Sequence, residues 1–342
     1  MEKENTFADY QLPPLDLLDE YIPEDKVSED KIANGRRVVV RMRSVLDDDA
    51  FRNSKAELPV AIGRTFEDKV KVFDLAKAPH LLIAGATKQG KTVAINAVVA
   101  SLLYSKHPSE LKFVFIDPKG CEFSPYNRLK DSYMTRPEDS YLIMPPEPIV
   151  NTNEEARKVL RSLCVEMERR RYLLCCTNTR NLRTFKKKTP WSWPYIVTII
   201  DEYADLTIPA GREEESKNMS REITEYIIRL AQKGRAVGMH VILATQRPSK
   251  KVITDSLKAN FPVRIAVRTM TRTDSRVILD SPGAENLAGG GDMIMKVGAE
   301  TERIQGSYIS PEEINRLTTY VESQSSKKTP YTHPEPDPAP KA

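Results

Sequence analysis

The sequence is short of cysteine, has no long apolar run and carries little net charge, and each shortage excludes something. Its four cysteines are two isolated residues, Cys121 and Cys164, and the adjacent pair Cys175 and Cys176. That spacing fits neither a disulfide framework nor a zinc site, so reduced structural thiols are expected. No apolar stretch approaches the roughly 20 residues that a membrane-spanning helix needs. Met1 is followed by Glu-Lys-Glu-Asn instead of a basic segment and then an apolar one, and a soluble, cytoplasmic chain is the expectation. The 52 Lys and Arg against 48 Asp and Glu leave a net charge of only +4, which in total does not mark a nucleic-acid binder. The 342 residues suffice for one large core with appendages or for two domains.

What is present is concentrated first in Gly85-Ala86-Thr87-Lys88-Gln89-Gly90-Lys91-Thr92. An apolar run (Leu81, Leu82, Ile83, Ala84) reads as a short buried strand before this loop, and residues 93–104 have helical spacing after it. Gly85 and Gly90 permit left-handed backbone angles, so successive N–H groups can turn inward as an anion-binding nest at the positive end of the helix. Lys91 would then reach the β- and γ-phosphates of a nucleotide. The Thr92 hydroxyl is the group that binds Mg²⁺ in this pattern.

Along the chain, residues 1–35 are acidic around a few apolar anchors (Tyr10, Leu12, Leu15, Leu17, Leu18). They read as an extended arm and linker, a tether in preference to a strap on a neighbouring domain or subunit. Val38-Val39-Val40 reads as a strand, residues 45–51 as a helical turn, and 58–63 and 70–74 as a hairpin. A second buried strand, residues 112–116, ends in Asp117-Pro118-Lys119-Gly120 at the edge where open α/β sheets bind ligands. Residues 153–176 form a long amphipathic helix, in which Glu168-Arg169-Arg170-Arg171 reads as a solvated face in preference to a DNA clamp. The basic segment 180–188 reads as a surface loop.

The strand over residues 195–200 runs into Asp201-Glu202, the second half of a nucleotide hydrolase site. Asp201 would hold Mg²⁺ through its water shell and Glu202 would orient and deprotonate the attacking water. The duller alternative is that both carboxylates cap the next helix. Residues 209–220 read as an exposed loop and 221–235 as a helix. The strand at 240–244 delivers Thr245-Gln246-Arg247-Pro248 to the same sheet edge, where Gln246 either senses the γ-phosphate or serves as a neutral hydrogen-bonding group. Further strands are expected at 263–267, 293–297 and 303–308, then a helix at 311–321. The tail from Ser323, with alternating prolines, reads as a disordered or extended end. Together these elements give an α/β fold: a RecA-like P-loop ATPase motor domain with a doubly wound, mainly parallel sheet.

Between Arg247 and Arg276 lie eight cations (Arg247, Lys250, Lys251, Lys258, Arg264, Arg268, Arg272, Arg276) against Asp255 and Asp274, a local +6 that exceeds the +4 of the whole chain. A basic loop-strand-loop unit just past the catalytic strand suits a surface tracking a phosphodiester backbone without reading sequence. Salt bridges between subunits are the alternative use.

With these residues in view, the chain resembles the FtsK/SpoIIIE family of ring-shaped double-stranded DNA translocases. The resemblance rests on Gly85 to Thr92, Asp117-Pro118-Lys119, Asp201 to Leu206, Gly234-Arg235-Ala236, Ala244 to Ser249, Asp274 to Asp280 and Gly283-Ala284-Glu285 on to Gly291-Asp292-Met293, in the family's order. It implies a hexameric ring with double-stranded DNA in its pore and ATP at each subunit interface. Carried over, Arg235 looks like the arginine that reaches a neighbour's nucleotide, Arg247 and Arg272 look like pore residues, with Lys250 and Lys251 beside them, and Arg276 serves the pore or the interface. The implied division is an N-terminal acidic arm and shortened linker over 1–54, the motor over 55–322, and a Pro-rich tail over 323–342.

Three departures stand out. Lys88-Gln89 stands where the family's loop commonly has small residues, residues 211–224 are longer than the usual loop, and neither a membrane-spanning start nor a winged-helix end is expected. A conjugative coupling or protein-secretion ATPase of the same superfamily is the alternative function. Glu202 argues against a ring that binds nucleotide for assembly only, because such a site needs no water-activating carboxylate.

Overall fold

The structure, a computed structural model, describes residues 7, 9–20, 39–137, 148–209, 211, 214–324 and 331–334. Its strands in chain order are β1 (Val40–Arg41), β2 (Pro59–Thr65), β3 (Val70–Asp74), β4 (His80–Ala84), β5 (Leu111–Ile116), β6 (Thr135–Pro137), β7 (Tyr195–Ile200), β8 (Met239–Thr245), β9 (Val263–Val267), β10 (Asp292–Val297), β11 (Glu300–Tyr308) and β12 (Tyr331–His333). The longer helices are α1 (Lys91–Ser105), α2 (Asn153–Cys176), α3 (Leu182–Lys188), α4 (Glu214–Lys233), α5 (Arg272–Leu279) and α6 (Pro311–Ser323). Two compact units share them, residues 10–107 with 242–324, and residues 108–241 with segments from both chain ends. Most of the acidic linker (21–38) and the last prolines of the tail lie outside the described residues.

In the unit with the phosphate loop, β4 is buried along its whole length and pairs in parallel with β9. From β9 the sheet continues antiparallel through β10, β11, β2 and β3, and β1 adds in parallel to β11. Helix α1 buries apolar residues all round (Ala94, Ile95, Val98, Val99, Leu102, Leu103), as a helix covered on every side must. Its one buried hydroxyl, Ser101, donates to the Ala97 carbonyl one turn back (2.7 Å) and accepts from the Ala61 N–H (3.1 Å). Ala61 sits at the irregularity in β2 that leaves strand pairing short there, so the serine satisfies a buried backbone donor.

The arm is not a tether over residues 10–19. Leu18 is buried, Gln324 exchanges two hydrogen bonds with the Gln11 backbone, Glu313 accepts from the Asp19 N–H, and Arg316 donates to the Leu17 carbonyl and the Asp19 carboxylate. This stretch is a strap on α6 of its own chain. Four of these five bonds join side chains of α6, or of Gln324 just past its end, to main-chain groups of the arm, which apolar spacing does not reveal.

In the other unit, β5 and β7 pair in parallel over six residues, and α2 packs against α4. Three expectations change here. Segment 180–188 holds a helix, α3, started by a capping box between Asn181 and Thr184 and anchored by buried Leu182 and Phe185. Helix α4 begins at Glu214, inside the expected loop, with Lys217 paired to Glu214. Arg170 is not on a solvated face: it is fully buried against Glu166.

The tail returns as β12, parallel to β6, with Tyr331 beside Thr135 and His333 beside Pro137. His333 faces Ser162, with Nδ1 2.5 Å from the hydroxyl. Burial pushes its imidazole from an ordinary value near 6.5 down to about 3, with Glu166 and Arg170 as the neighbouring charges. A neutral buried histidine contributes stability that is whole above its unfolded pKa and is lost as pH falls through the interval down to the folded value. The stability difference between the wild type and His333→Leu is therefore expected to shrink by about 1.4 kcal/mol for each pH unit below ~6.5. Urea midpoints at pH 7, 6 and 5 read this, and a difference that does not change with pH overturns the neutral assignment.

Candidate nucleotide site and basic face

The phosphate loop leaves β4 at Gly85, whose N–H reaches the Thr245 carbonyl (3.4 Å), while the Ala86 N–H donates to the Arg268 carbonyl (2.8 Å). Positive φ angles at Lys88 (61°) and Gly90 (118°) turn the chain into α1, so the amides that follow Gly90 open the helix at its positive end. Lys91, the first helical residue, is 4% exposed, and Thr92 follows it. Thr87 Oγ1 donates to Gln246 Oε1 at 2.7 Å. This unit thereby brings together Gly85, Ala86, Thr87, Lys88, Gln89, Gly90, Lys91, Thr92 and Gln246.

A second loop backs the first. Gly289, Gly290 and Gly291 all have positive φ. The Gly291 N–H approaches the Gln89 carbonyl (3.4 Å), and a Cβ on Gly90 would lie 2.9 Å from Gly291 Cα and N. Main chain packs on main chain with no space for a side chain at Gly90. Arg303 fixes the base of this loop with two bonds to Asp292 (3.0 and 2.7 Å). The three consecutive glycines were the signal for this loop, but spacing alone does not say what they approach.

In the other unit, β7 ends in Asp201 and Glu202, 0% and 1% exposed. Glu202 precedes the short helix Tyr203–Thr207, yet its side chain makes no capping hydrogen bond to it. For Glu202 the capping alternative therefore lacks its bond. At the end of β5, the Asp117 carboxylate accepts from four backbone amides, those of Lys119, Gly120, Glu122 and Phe123, at 2.8–3.3 Å. That commits Asp117 to shaping the loop and presents Lys119, whose Nζ lies 3.7 Å from Glu202 and 3.8 Å from Asp205. Lys119 is a site neighbour that sequence noticed but gave no role. Arg235 is exposed on the turn Gly234–Val237.

Thr92, near the head of α1 in one unit, and Asp201, at the end of β7 in the other, each carry an oxygen of the hard type that Mg²⁺ takes. No group of three or more His, Cys, Asp or Glu side chains placed to hold a metal ion occurs among the described residues.

The basic stretch divides into two kinds of residue. Asp280 gathers Lys258 (2.8 Å), Arg264 (2.5 Å) and Lys296 (3.2 Å). Partial burial pushes its carboxyl up, but the hydrogen bonds from these three cations outweigh burial and hold it well below the usual carboxylate range. Lys258 and Arg264 are thus paired within the chain. Arg247, Lys250, Lys251, Arg268, Arg272 and Arg276 are exposed. Arg272 and Arg276 lie one turn apart on α5, and Lys250 and Arg276 line a cleft of ≈ 450 Å³ with Thr254 and Thr273.

This chain is 45% identical over 308 residues to the DNA translocase FtsK of Chlorobaculum tepidum, covering 89% of this chain and 36% of that protein. It is 40% identical over 301 residues to the DNA translocase SftA of Bacillus subtilis, covering 86% and 29%. The chain thus spans about a third of the length of these curated relatives. Among solved structures, the pCW3 conjugation coupling protein TcpA, in a monomer form with ATPγS, superposes with a TM-score of 0.68 at 28% identity, covering 80% of this chain and 72% of that one. No helix among the described residues is long and apolar enough to cross a membrane. The sequence model of the FtsK/SpoIIIE family matches residues 41–250, well over half of the chain and inclusive of the phosphate loop, Asp201-Glu202 and Gln246-Arg247, and the chain belongs to that family.

Proposed function

We propose that this chain is the motor of an ATP-dependent double-stranded DNA translocase that works as a ring, with a hexamer as the assembly. The observation that carries the reading is the left-handed Gly90 at the head of α1 with Lys91 buried at its first position, in a family whose relatives are named DNA translocases. The loop amides and Lys91 hold the β- and γ-phosphates of ATP. Thr92 and Asp201 would each give an oxygen ligand to Mg²⁺, which would supply positive charge to the phosphates. Glu202 takes the proton of the attacking water. Gln246, bonded to Thr87, links the phosphate loop to the segment that begins at Arg247. Arg235 serves the nucleotide of a neighbouring subunit.

Arg247, Lys250, Lys251, Arg272 and Arg276 grip DNA phosphates. A translocase that read base edges would stall on them, so the contacts are to the backbone. Removing one such contact lowers affinity by a similar factor for unrelated sequences and reduces the salt slope by about one.

The test is ATPase rate against DNA concentration, for two linear duplexes of different sequence at two salt concentrations. Duplex DNA is expected to stimulate the wild type. Arg247→Ala with Arg272→Ala is expected to keep basal ATPase and lose that stimulation. Unchanged stimulation in the double variant removes this DNA path, and loss on one duplex only means that bases are read. The likeness to TcpA keeps a coupling ATPase as the second reading, and a motor for polypeptide cargo would give no response to duplex in the wild type.

A further inference from the structure

Arg235 sits on a four-residue turn that could be held in many ways, and the way it is held involves the far end of the chain. Arg170, in the middle of α2, is fully buried. Its Nε donates to Glu166 (2.7 Å), Nη1 donates to the carbonyls of Pro194 (2.9 Å) and Val237 (3.1 Å), and Nη2 donates to the Tyr331 hydroxyl (3.2 Å). The Val237 carbonyl, which closes the turn, accepts a second bond from Trp193 Nε1 (3.1 Å), and the Arg170 guanidinium lies over the Trp193 ring. On the next residue, the Gly238 carbonyl accepts from the Ile196 N–H (2.9 Å). A Cβ at Gly238 would come within 2.4 Å of Leu182 Cδ2. The turn is thereby fixed at its C-terminal end, two residues beyond the exposed arginine.

Tyr331 is the middle of a chain of contacts. Its hydroxyl meets both Arg170 and Glu166 (3.4 Å), and at the other end of β12 the Ser162 hydroxyl bonds His333 and the Pro334 carbonyl. A planar guanidinium distributes its donors in fixed directions. Losing its partner at Nη2 lets it rotate and weakens the two bonds at Nη1.

We propose that Arg170 is a positioning residue for Arg235, and that the C-terminal strand β12, through Tyr331, keeps it in place, so that seating of the tail sets how firmly the arginine is presented. The inference rests on the reading of Arg235 as a residue that serves a nucleotide. It adds to that reading a role for a tail otherwise expected to be a disordered or extended end.

The test uses the full chain with Tyr331→Phe, which keeps the ring and removes the hydroxyl, and with Ser162→Ala at the other end of the strand. Two measurements are made, amide hydrogen exchange over residues 234–238 and ATPase kinetics. Exchange is expected to accelerate and kcat to fall, each about three- to tenfold, the net worth of roughly one ordinary hydrogen bond. KM for ATP is expected to stay within about twofold, because binding residues are untouched. In an Arg235→Ala background, Tyr331→Phe is expected to lower kcat no further, since the two changes act through one group. Unchanged exchange in both variants overturns the link between tail and turn. A kcat loss that adds to that of Arg235→Ala overturns the positioning role. Faster exchange together with wild-type turnover in Arg235→Ala leaves the link standing and removes the nucleotide role of Arg235.

Discussion

Arg235→Ala is expected to lower ATP hydrolysis on the order of a thousandfold, the worth of an arginine that stabilises transition-state charge from a neighbouring subunit. ATP affinity of the isolated subunit is expected to stay at its wild-type value, because on the proposed reading the charge acts across an interface and not in the subunit's own phosphate loop. The exposed position of Arg235 on a braced turn suits that use: the main chain is held while the side chain extends into solvent. Mixing is the decisive experiment. Subunits carrying Arg235→Ala are inactive as donors of the arginine, and subunits carrying Lys91→Ala are inactive as holders of ATP, but a mixed ring contains interfaces where both residues are intact. Partial recovery of ATPase activity on mixing is the expected result, and none at any ratio overturns action in trans.

The second large effect concerns Glu202. Glu202→Gln keeps the shape of the side chain but cannot take a proton from water, so ATP is expected to bind while hydrolysis slows by about a hundredfold or more. Lys91→Ala is expected to lose binding or hydrolysis outright, since on the proposed reading Lys91, buried at the head of α1, is the cation that meets the phosphates. Equilibrium binding of a fluorescent ATP analogue, followed by single-turnover hydrolysis, separates the two variants. Turnover at the wild-type rate in Glu202→Gln removes Glu202 from the role of base. The Lys119 ammonium, 3.7 Å from the buried carboxylate, opposes its charge and is the next residue to substitute.

Legibility from sequence followed burial. β4, β5, β7 and β9 are near-continuous apolar runs and were readable with small errors at their ends, as was α2, whose apolar spacing persists over 24 residues. Where stability comes from side chain to main chain bonds, the pattern falls silent. The first turns of α4 hold no buried apolar residue before Ser220 and Ile223, so acidic and basic residues there read as loop. Helix α3 is basic at its surface and rests on two buried side chains and a capping box. The strap at 10–19 and the strand at Tyr331–His333 depend on partners roughly 160 to 310 residues away in sequence, such as Gln324 for Gln11 and Arg170 for Tyr331. Arg170 itself shows the limit best. A run of three arginines in a helix reads as solvated, and only the fold shows that the middle one is buried. In the candidate site, the loop and the carboxylate pair were legible because glycine spacing and strand-end acids are local. Lys119 and the Gly289–Gly291 loop, whose roles are set by what they approach, were not.

The contact between Gly90 and Gly291 has a mechanical consequence. Side chains absorb displacement by changing rotamer, but two main chains in contact have no such slack. The phosphate loop and the base of the β10–β11 hairpin are therefore stiffly geared. If nucleotide shifts Gln89 and Gly90 by a fraction of an ångström, Gly291 is carried with them. Asp292 and its tether to Arg303 then move as one lever arm instead of settling locally.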